Sequence, residues 1–336
     1  MPKLQRVLDG LVRTGAAGVL LHYRDGQREW RGSSGVTDLA TGAPVDPDGW
    51  FRIGSVTKTF TAAVVLQLVG EGVLALGDSV ERWLPGVVPG GDGITVRQLL
   101  NHTSGLHNYT NDLGDPAAIV RDRFVQWEPM RAVGMAVSRD PLFAPGTMWA
   151  YSNTNYILLG MVIEVATGAS YGAEVRRRIL DPLGMRRTVV PGDEVRLPEP
   201  HAQGYMPVDG ELVDTAEFNV SQAWAAGEIV STAADLNTFY AGLLSGEVVG
   251  LGELEAMLTT VDNSGANHGY GLGIMRRVLA DGEDVWGHFG GIYGYLTCSF
   301  HTGDGGRQFS LSYTGTDAPP PEEDALVAAV FAAGLD

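Results

Sequence analysis

Lysine is almost missing from this chain of 336 residues. Of its 23 basic side chains only Lys3 and Lys58 are lysines; the rest are arginines. Cysteine is scarcer still. Cys298 stands alone, so no internal disulfide can form, and its apolar, strand-like surroundings predict a small buried core residue. No stretch approaches the roughly 20 consecutive apolar residues of a membrane span. The first residues lack the apolar centre of a secretory signal. Positive charge is in deficit: the formal net charge is −17, which argues against nucleic acid and anionic membrane as partners. No His, Cys, Asp and Glu cluster has metal-ligand spacing, and there is no glycine-rich phosphate loop, so neither metal nor cofactor is expected. These absences predict a cytoplasmic protein that handles small molecules.

A chain of this length forms one large domain or two closely packed lobes. Leu4, Val7, Leu8, Leu11 and Val12 make a helical stripe over residues 3–14. Residues 17–23 are an apolar run, residues 24–27 a turn, and residues 28–32 a returning strand. Helical patterns dominate from about residue 95 to 190, with Thr95 placed to cap the first of them, and another helix is expected over 232–244. After about residue 268 the texture becomes alternating and glycine-rich, with Asp281-Gly282 as a hairpin signal and strands over 285–288, 295–301 and 308–313. A helix over 322–333 closes the chain. The fold class is therefore α+β: an antiparallel sheet shared by both ends of the chain, flanked by helices, around a helical middle.

In a chain so poor in lysine, the position of Lys58 is informative. It follows Ser55 by three residues, and the stretch from Thr59 to Leu76 reads as an apolar helix. Positions i and i+3 share a helix face. A hydroxyl beside an amine kept out of water is a candidate activated nucleophile. Arginine cannot take this role because it stays protonated. Further on, Tyr151-Ser152-Asn153 lies between the turn Pro145-Gly146 and an apolar helix over 155–166, a loop position that suits catalytic groups. Tyr151 could relay a proton to a leaving group, with Lys58 lowering its pKa. Asn153 could bond a substrate carbonyl or the Lys58 amine. The third element, His288-Phe289-Gly290-Gly291, places a histidine at a strand end before glycines that let a substrate backbone approach. The Gly291 N–H could join that of Ser55 as an oxyanion hole. Gln222, Trp224, Tyr109 and Tyr293 are candidate cleft residues, and His102 is expected to organise a loop. No Gly-x-Ser-x-Gly surrounds Ser55, which argues against an α/β-hydrolase elbow.

Ser55-Val56-Thr57-Lys58, Tyr151-Ser152-Asn153 and His288-Phe289-Gly290, in this order, resemble the class C β-lactamase and D-Ala-D-Ala carboxypeptidase family of serine penicillin-recognising enzymes. The resemblance covers nearly the whole chain. It implies one catalytic domain over 1–336, with an α/β part from residues 1–65 and 225–336 and a mostly helical part from 66–224. It also implies acyl transfer through an acyl-enzyme, with Ser55, Lys58, Tyr151 and His288 as catalytic residues. Asn153, Phe289, Gly290, Gly291, Gln222 and Trp224 would bind substrate.

The sequence departs from the family pattern at two places. Phe289 stands where a hydroxyl residue is usual. Met275 occupies the position of an arginine that would hold a substrate's terminal carboxylate, with Arg276 and Arg277 beside it. Side chains alternate across a strand, so a one-residue offset turns an arginine away. Both changes point to a leaving group without a free carboxylate. The expected activity is that of an intracellular amidase, esterase or transacylase on a small amide or ester, with water, an amine or an alcohol as acyl acceptor and a place in secondary metabolism. The competing readings are a D-Ala-D-Ala carboxypeptidase or β-lactamase, and a catalytically idle binding domain on the same fold.

Overall fold

The computed structural model describes residues 3–262 and 268–335. The N-terminal stripe folds as helix α1 (Lys3–Arg13), with Leu4, Leu8 and Leu11 buried. A hairpin follows, β1 (Gly18–Asp25) and β2 (Arg28–Gly35). The other six strands of the sheet come from the far end of the chain: β3 (Val261–Asp262), β4 (His268–Tyr270), β5 (Met275–Val278), β6 (Asp284–Ile292), β7 (Tyr295–Thr302) and β8 (Arg307–Thr314). The sheet order is β2-β1-β8-β7-β6-β5-β4-β3, and every neighbouring pair is antiparallel. β1 pairs with β8 from Gly18↔Thr314 to Asp25↔Arg307, which is how the two ends share one sheet.

Four helices position the site: α2 (Thr57–Gly70), α3 (Asn153–Thr167), α4 (Ala233–Leu244) and α5 (Glu323–Ala333). Because side chains alternate along a strand, the sheet has two unlike faces. Val19, Leu21, Tyr23, Phe300, Phe309 and Leu311 face α1 and α5 in an apolar core. The opposite face carries polar groups under α4. There Ser310 Oγ donates to Asn237 Oδ1 at 2.7 Å, and Asn237 Nδ2 donates to the His22 carbonyl at 3.1 Å. A second and larger core surrounds α2 and α3.

Two expectations about the middle of the chain need correction. The helix read over 59–76 spans Thr57–Gly70. Gly72 adopts a φ of 73°, and the Val73 N–H returns to the Leu68 carbonyl at 2.9 Å, a closure that leaves the helical path. A boundary between residues 65 and 66 therefore falls inside α2. The mostly helical stretch also contains a hairpin, Tyr205–Val208 paired with Glu211–Asp214. Its turn, Asp209-Gly210, has positive φ at both residues, the backbone that a two-residue Asp-Gly hairpin uses. Among the described residues no single helix is long and apolar enough to cross a membrane.

Candidate active site

Ser55 lies in a single 3-10 turn, Gly54–Val56, immediately ahead of α2, and Lys58 lies in the first turn of α2. The three-residue spacing still brings the side chains together, with Lys58 Nζ 3.0 Å from Ser55 Oγ. The turn is pressed against β6. A Cβ on Gly54, whose φ is +51°, would lie 2.7 Å from Gly291 N, and one on Gly290 would lie 2.0 Å from the Ile53 carbonyl oxygen. Only glycine permits this backbone-to-backbone approach.

Lys58 is wholly buried. Its Nζ contacts Ser55 Oγ at 3.0 Å, Asn153 Oδ1 at 2.7 Å and the Ala226 carbonyl at 2.7 Å. Burial holds its amine well below the usual lysine range. A neutral amine has two N–H groups and one lone pair. Amide and peptide carbonyl oxygens accept only, so Asn153 and Ala226 take both hydrogens. The lone pair is left for the Ser55 hydroxyl, the one partner that can donate. Asn153 is fixed in this orientation because its Nδ2 donates to Asn108 Oδ1 and Thr110 Oγ1, both at 3.3 Å. The turn carrying Ala226 is tied to α2 on both sides. Thr61 Oγ1 donates to the Ala225 carbonyl at 2.7 Å, and Thr57 Oγ1 accepts from Ile229 N at 3.1 Å.

Tyr151 places its ring centroid 4.9 Å from Lys58 Nζ. The phenol oxygen is buried, with the Ser55 hydroxyl as its polar neighbour. Its pKa is pushed up by burial, with the Ser55 hydroxyl opposing and Glu323 adding to the rise. This corrects the expectation that Lys58 lowers it: a neutral amine has no charge with which to do so. Tyr151 is therefore a protonated donor near Ser55. Its loop is held by His102, whose Nδ1 accepts from Ser152 N at 3.2 Å and Asn155 Nδ2 at 3.1 Å. The His102 and Tyr151 ring centroids are 4.3 Å apart.

His288 is also wholly buried, and burial pushes its pKa down to about 3. It is neutral at ordinary pH. Nδ1 bonds the Phe289 carbonyl, which only accepts, so the proton sits on Nδ1. Nε2 then accepts from the Tyr270 hydroxyl at 3.0 Å. Both nitrogens are occupied within the protein, which leaves His288 to position the end of β6 and gives it no proton to exchange. Tyr270 escaped the sequence reading as a site residue; its signal was the glycine-flanked Gly269-Tyr270-Gly271. β5 pairs with β6 only from Asp284 to Gly287, so the edge of β6 beyond His288 has no strand partner on that side.

Ser55 separates two cavities. One, of about 490 Å³, is lined by Tyr109, Leu113, Asn153, Gln222, Gly291 and Tyr293 among others. The second, of about 400 Å³, lies on the Tyr151 side, with Trp149, Met275, His288, Gly290, Leu326 and Glu323 in its wall. Trp149 was not anticipated. Phe289 also borders this second cavity, but its ring packs in the apolar core on the α1/α5 face, 4.8 Å from the Phe300 ring. Arg276 is tied to Asp284 and Arg277 to Asp324, each at 2.7 Å, and neither borders the cavity. Trp224 does not join the cleft. Its backbone φ of 34° turns the ring to the far side, where it meets Tyr171 at 5.5 Å. Cys298 is a buried thiol.

The sequence model of a family described as Beta-lactamase matches residues 4–333. A D-stereospecific amidohydrolase from Streptomyces sp. superposes with a TM-score of 0.91 and 41% identity, over 98% of either chain. A D-amino acid amidase from Ochrobactrum anthropi SV3, complexed with L-phenylalanine amide, superposes with a TM-score of 0.86 and 30% identity, over 98% of this chain and 97% of that one. Penicillin-binding protein 4* of Bacillus subtilis (strain 168) is 28% identical over 304 residues, which are 83% of this chain and 64% of that protein. The chain thus spans under two thirds of the length of that curated relative.

Proposed function

Because this chain belongs to the beta-lactamase family, we propose that it is a serine amidohydrolase that cleaves amides of D-configured amino acids through an acyl-enzyme on Ser55. The observation that carries this reading is the hydrogen-bond arrangement of Lys58, whose one free lone pair meets the Ser55 hydroxyl. Lys58 takes the hydroxyl proton as Ser55 Oγ attacks the substrate carbonyl. The N–H groups of Ser55 and Gly291, on backbones in contact, stabilise the oxyanion. Tyr151 donates its proton to the departing amine and recovers one through Lys58. Water, or an amine or alcohol in a transacylation, then releases the acyl group. An idle binding domain would have no use for a neutral lysine held in this way.

The D-configured substrate rests on the likeness to the amidohydrolase from Streptomyces and to the D-amino acid amidase. The acyl-side cavity, lined by Tyr109, Leu113 and Tyr293, suits an apolar amino-acid side chain. The leaving-group side supports a substrate without a terminal carboxylate. Met275 stands in the cavity wall, the nearby arginines are tied elsewhere, and Glu323 adds negative charge. A cytoplasmic setting and a place in secondary metabolism belong to the same proposal.

The test is a comparison of kcat/KM for D-phenylalanine amide, L-phenylalanine amide and an N-acyl-D-Ala-D-Ala peptide. The D-amide is expected to exceed each of the others by about tenfold or more, the L-amide because its inverted centre turns the side chain away from the acyl-side cavity and the peptide because its terminal carboxylate has no cation to meet. Equal or faster turnover of the carboxylate-ended peptide would restore the carboxypeptidase reading.

A further inference from the structure

Hydrolysis of a simple amide releases ammonia, a molecule about the size of water, whose share of liquid volume is roughly 30 Å³. The cavity on the Tyr151 side of Ser55 has a volume of about 400 Å³, room for a much larger leaving amine. Its wall is mostly apolar, with Trp149, Met275, Pro320, Pro321 and Leu326. His288 is neutral there, so among the described residues Glu323 is the one formally charged side chain lining either cavity beside Ser55.

The chain around Glu323 explains why its carboxylate is free for a ligand. Pro320 and Pro321 stiffen the approach to α5. Three acidic residues follow, and two of them have duties elsewhere. Glu322 caps α5, its side chain accepting from Asp324 N and Ala325 N. Asp324 accepts from Arg277 Nε at 2.7 Å and meets His268 Nε2 at 2.5 Å. Glu323 is exposed, and it makes no ion pair or hydrogen bond with a described residue. It lies close enough to Tyr151 to raise the phenol pKa. Its charge therefore stands near the group that protonates the leaving amine.

On the Ser55 reading given above, we propose that Glu323 sets the leaving-group specificity of the enzyme. The preferred substrates are D-aminoacyl amides whose leaving amine carries a second, positively charged amine beyond a short apolar spacer. The spacer lies along the apolar wall, and the distal ammonium meets the Glu323 carboxylate. As the C–N bond breaks, Tyr151 protonates the departing nitrogen, and the distal ammonium keeps its own proton throughout. The product released is a diamine in place of ammonia.

The test is kcat/KM at pH 8 for two D-phenylalanine amides of equal shape. The N-(4-aminobutyl) amide ends in an ammonium, and the N-pentyl amide ends in a methyl. The wild-type protein is expected to prefer the first by about tenfold, and Glu323→Gln to reduce that ratio to about one. In Glu323→Lys the preference is expected to reverse. Both are exposed changes that leave the Glu322 cap in place. A wild-type ratio near one, or a ratio unchanged in Glu323→Gln and Glu323→Lys, would overturn the proposal and leave the Ser55 chemistry standing. So would failure to cleave either amide by a protein that hydrolyses D-phenylalanine amide. Failure on all three substrates would overturn the Ser55 reading and this inference together.

Discussion

Lys58→Met is expected to lower kcat on D-phenylalanine amide by about a thousandfold or more, the usual range for loss of a general base together with its activated nucleophile. The reason is the count of hydrogens around Nζ. Two are spent on carbonyl oxygens, so the amine presents a lone pair to Ser55. Methionine keeps the length and the apolar stem and removes the base. The fold should survive. The change leaves the Asn153 and Ala226 carbonyls unpaired, at about 1–3 kcal/mol each. It also removes a buried amine that the folded protein keeps neutral. The sign of that second effect follows from linkage. The folded pKa lies below the unfolded one, so between the two the unfolded chain binds the extra proton, and at neutral pH Lys58 destabilises the native state. The wild-type rate is expected to rise with pH as Lys58 loses its proton. The residual rate of the variant should lack that rise. His288 adds no limb of its own near neutrality, since its pKa is about 3.

Tyr151→Phe is expected to reduce amide hydrolysis by about a hundredfold to ten-thousandfold, the range for a lost general acid. The p-nitrophenyl ester of D-phenylalanine should lose about tenfold or less, because p-nitrophenolate departs without a proton. Burial keeps the phenol protonated, which makes it a donor at the pH where Lys58 is neutral. Thermal stability should change little, since the only polar neighbour the hydroxyl loses is that of Ser55. The difference between the two substrates is the informative quantity. An equal loss on both would assign Tyr151 to substrate positioning.

The contact between Ser55 and Lys58 was legible in the sequence because helix geometry joins residues three apart, and a lysine in an arginine-rich chain stands out. Tyr151 and Asn153 were legible from their place at the start of an apolar helix. The sheet shared by both ends was legible from alternating runs at 17–32 and after 268. What escaped was the direction in which side chains point. Trp224 was placed in the cleft, but its turn has a positive φ that no short motif encodes, and the ring faces away. Phe289 was read as a substrate contact; it borders the second cavity, while its ring packs against Phe300 in the core on the α1/α5 face, as alternation from His288 implies. His288 was given a catalytic role because its partner, Tyr270, comes from β4, two strands away in the sheet order, and only the folded sheet reveals that both ring nitrogens are taken. The helix end at Gly70 was missed because Gly72 was read as part of an apolar run, although a glycine just past a helix is a common stop.

The most direct test of the account is intact-mass analysis of protein quenched during turnover of the p-nitrophenyl ester of D-phenylalanine, followed by digestion to locate the adduct. One phenylalanyl group is expected on the peptide containing Ser55, and none in Ser55→Ala. An adduct that persists in Ser55→Ala, or rapid turnover by that variant, would contradict it.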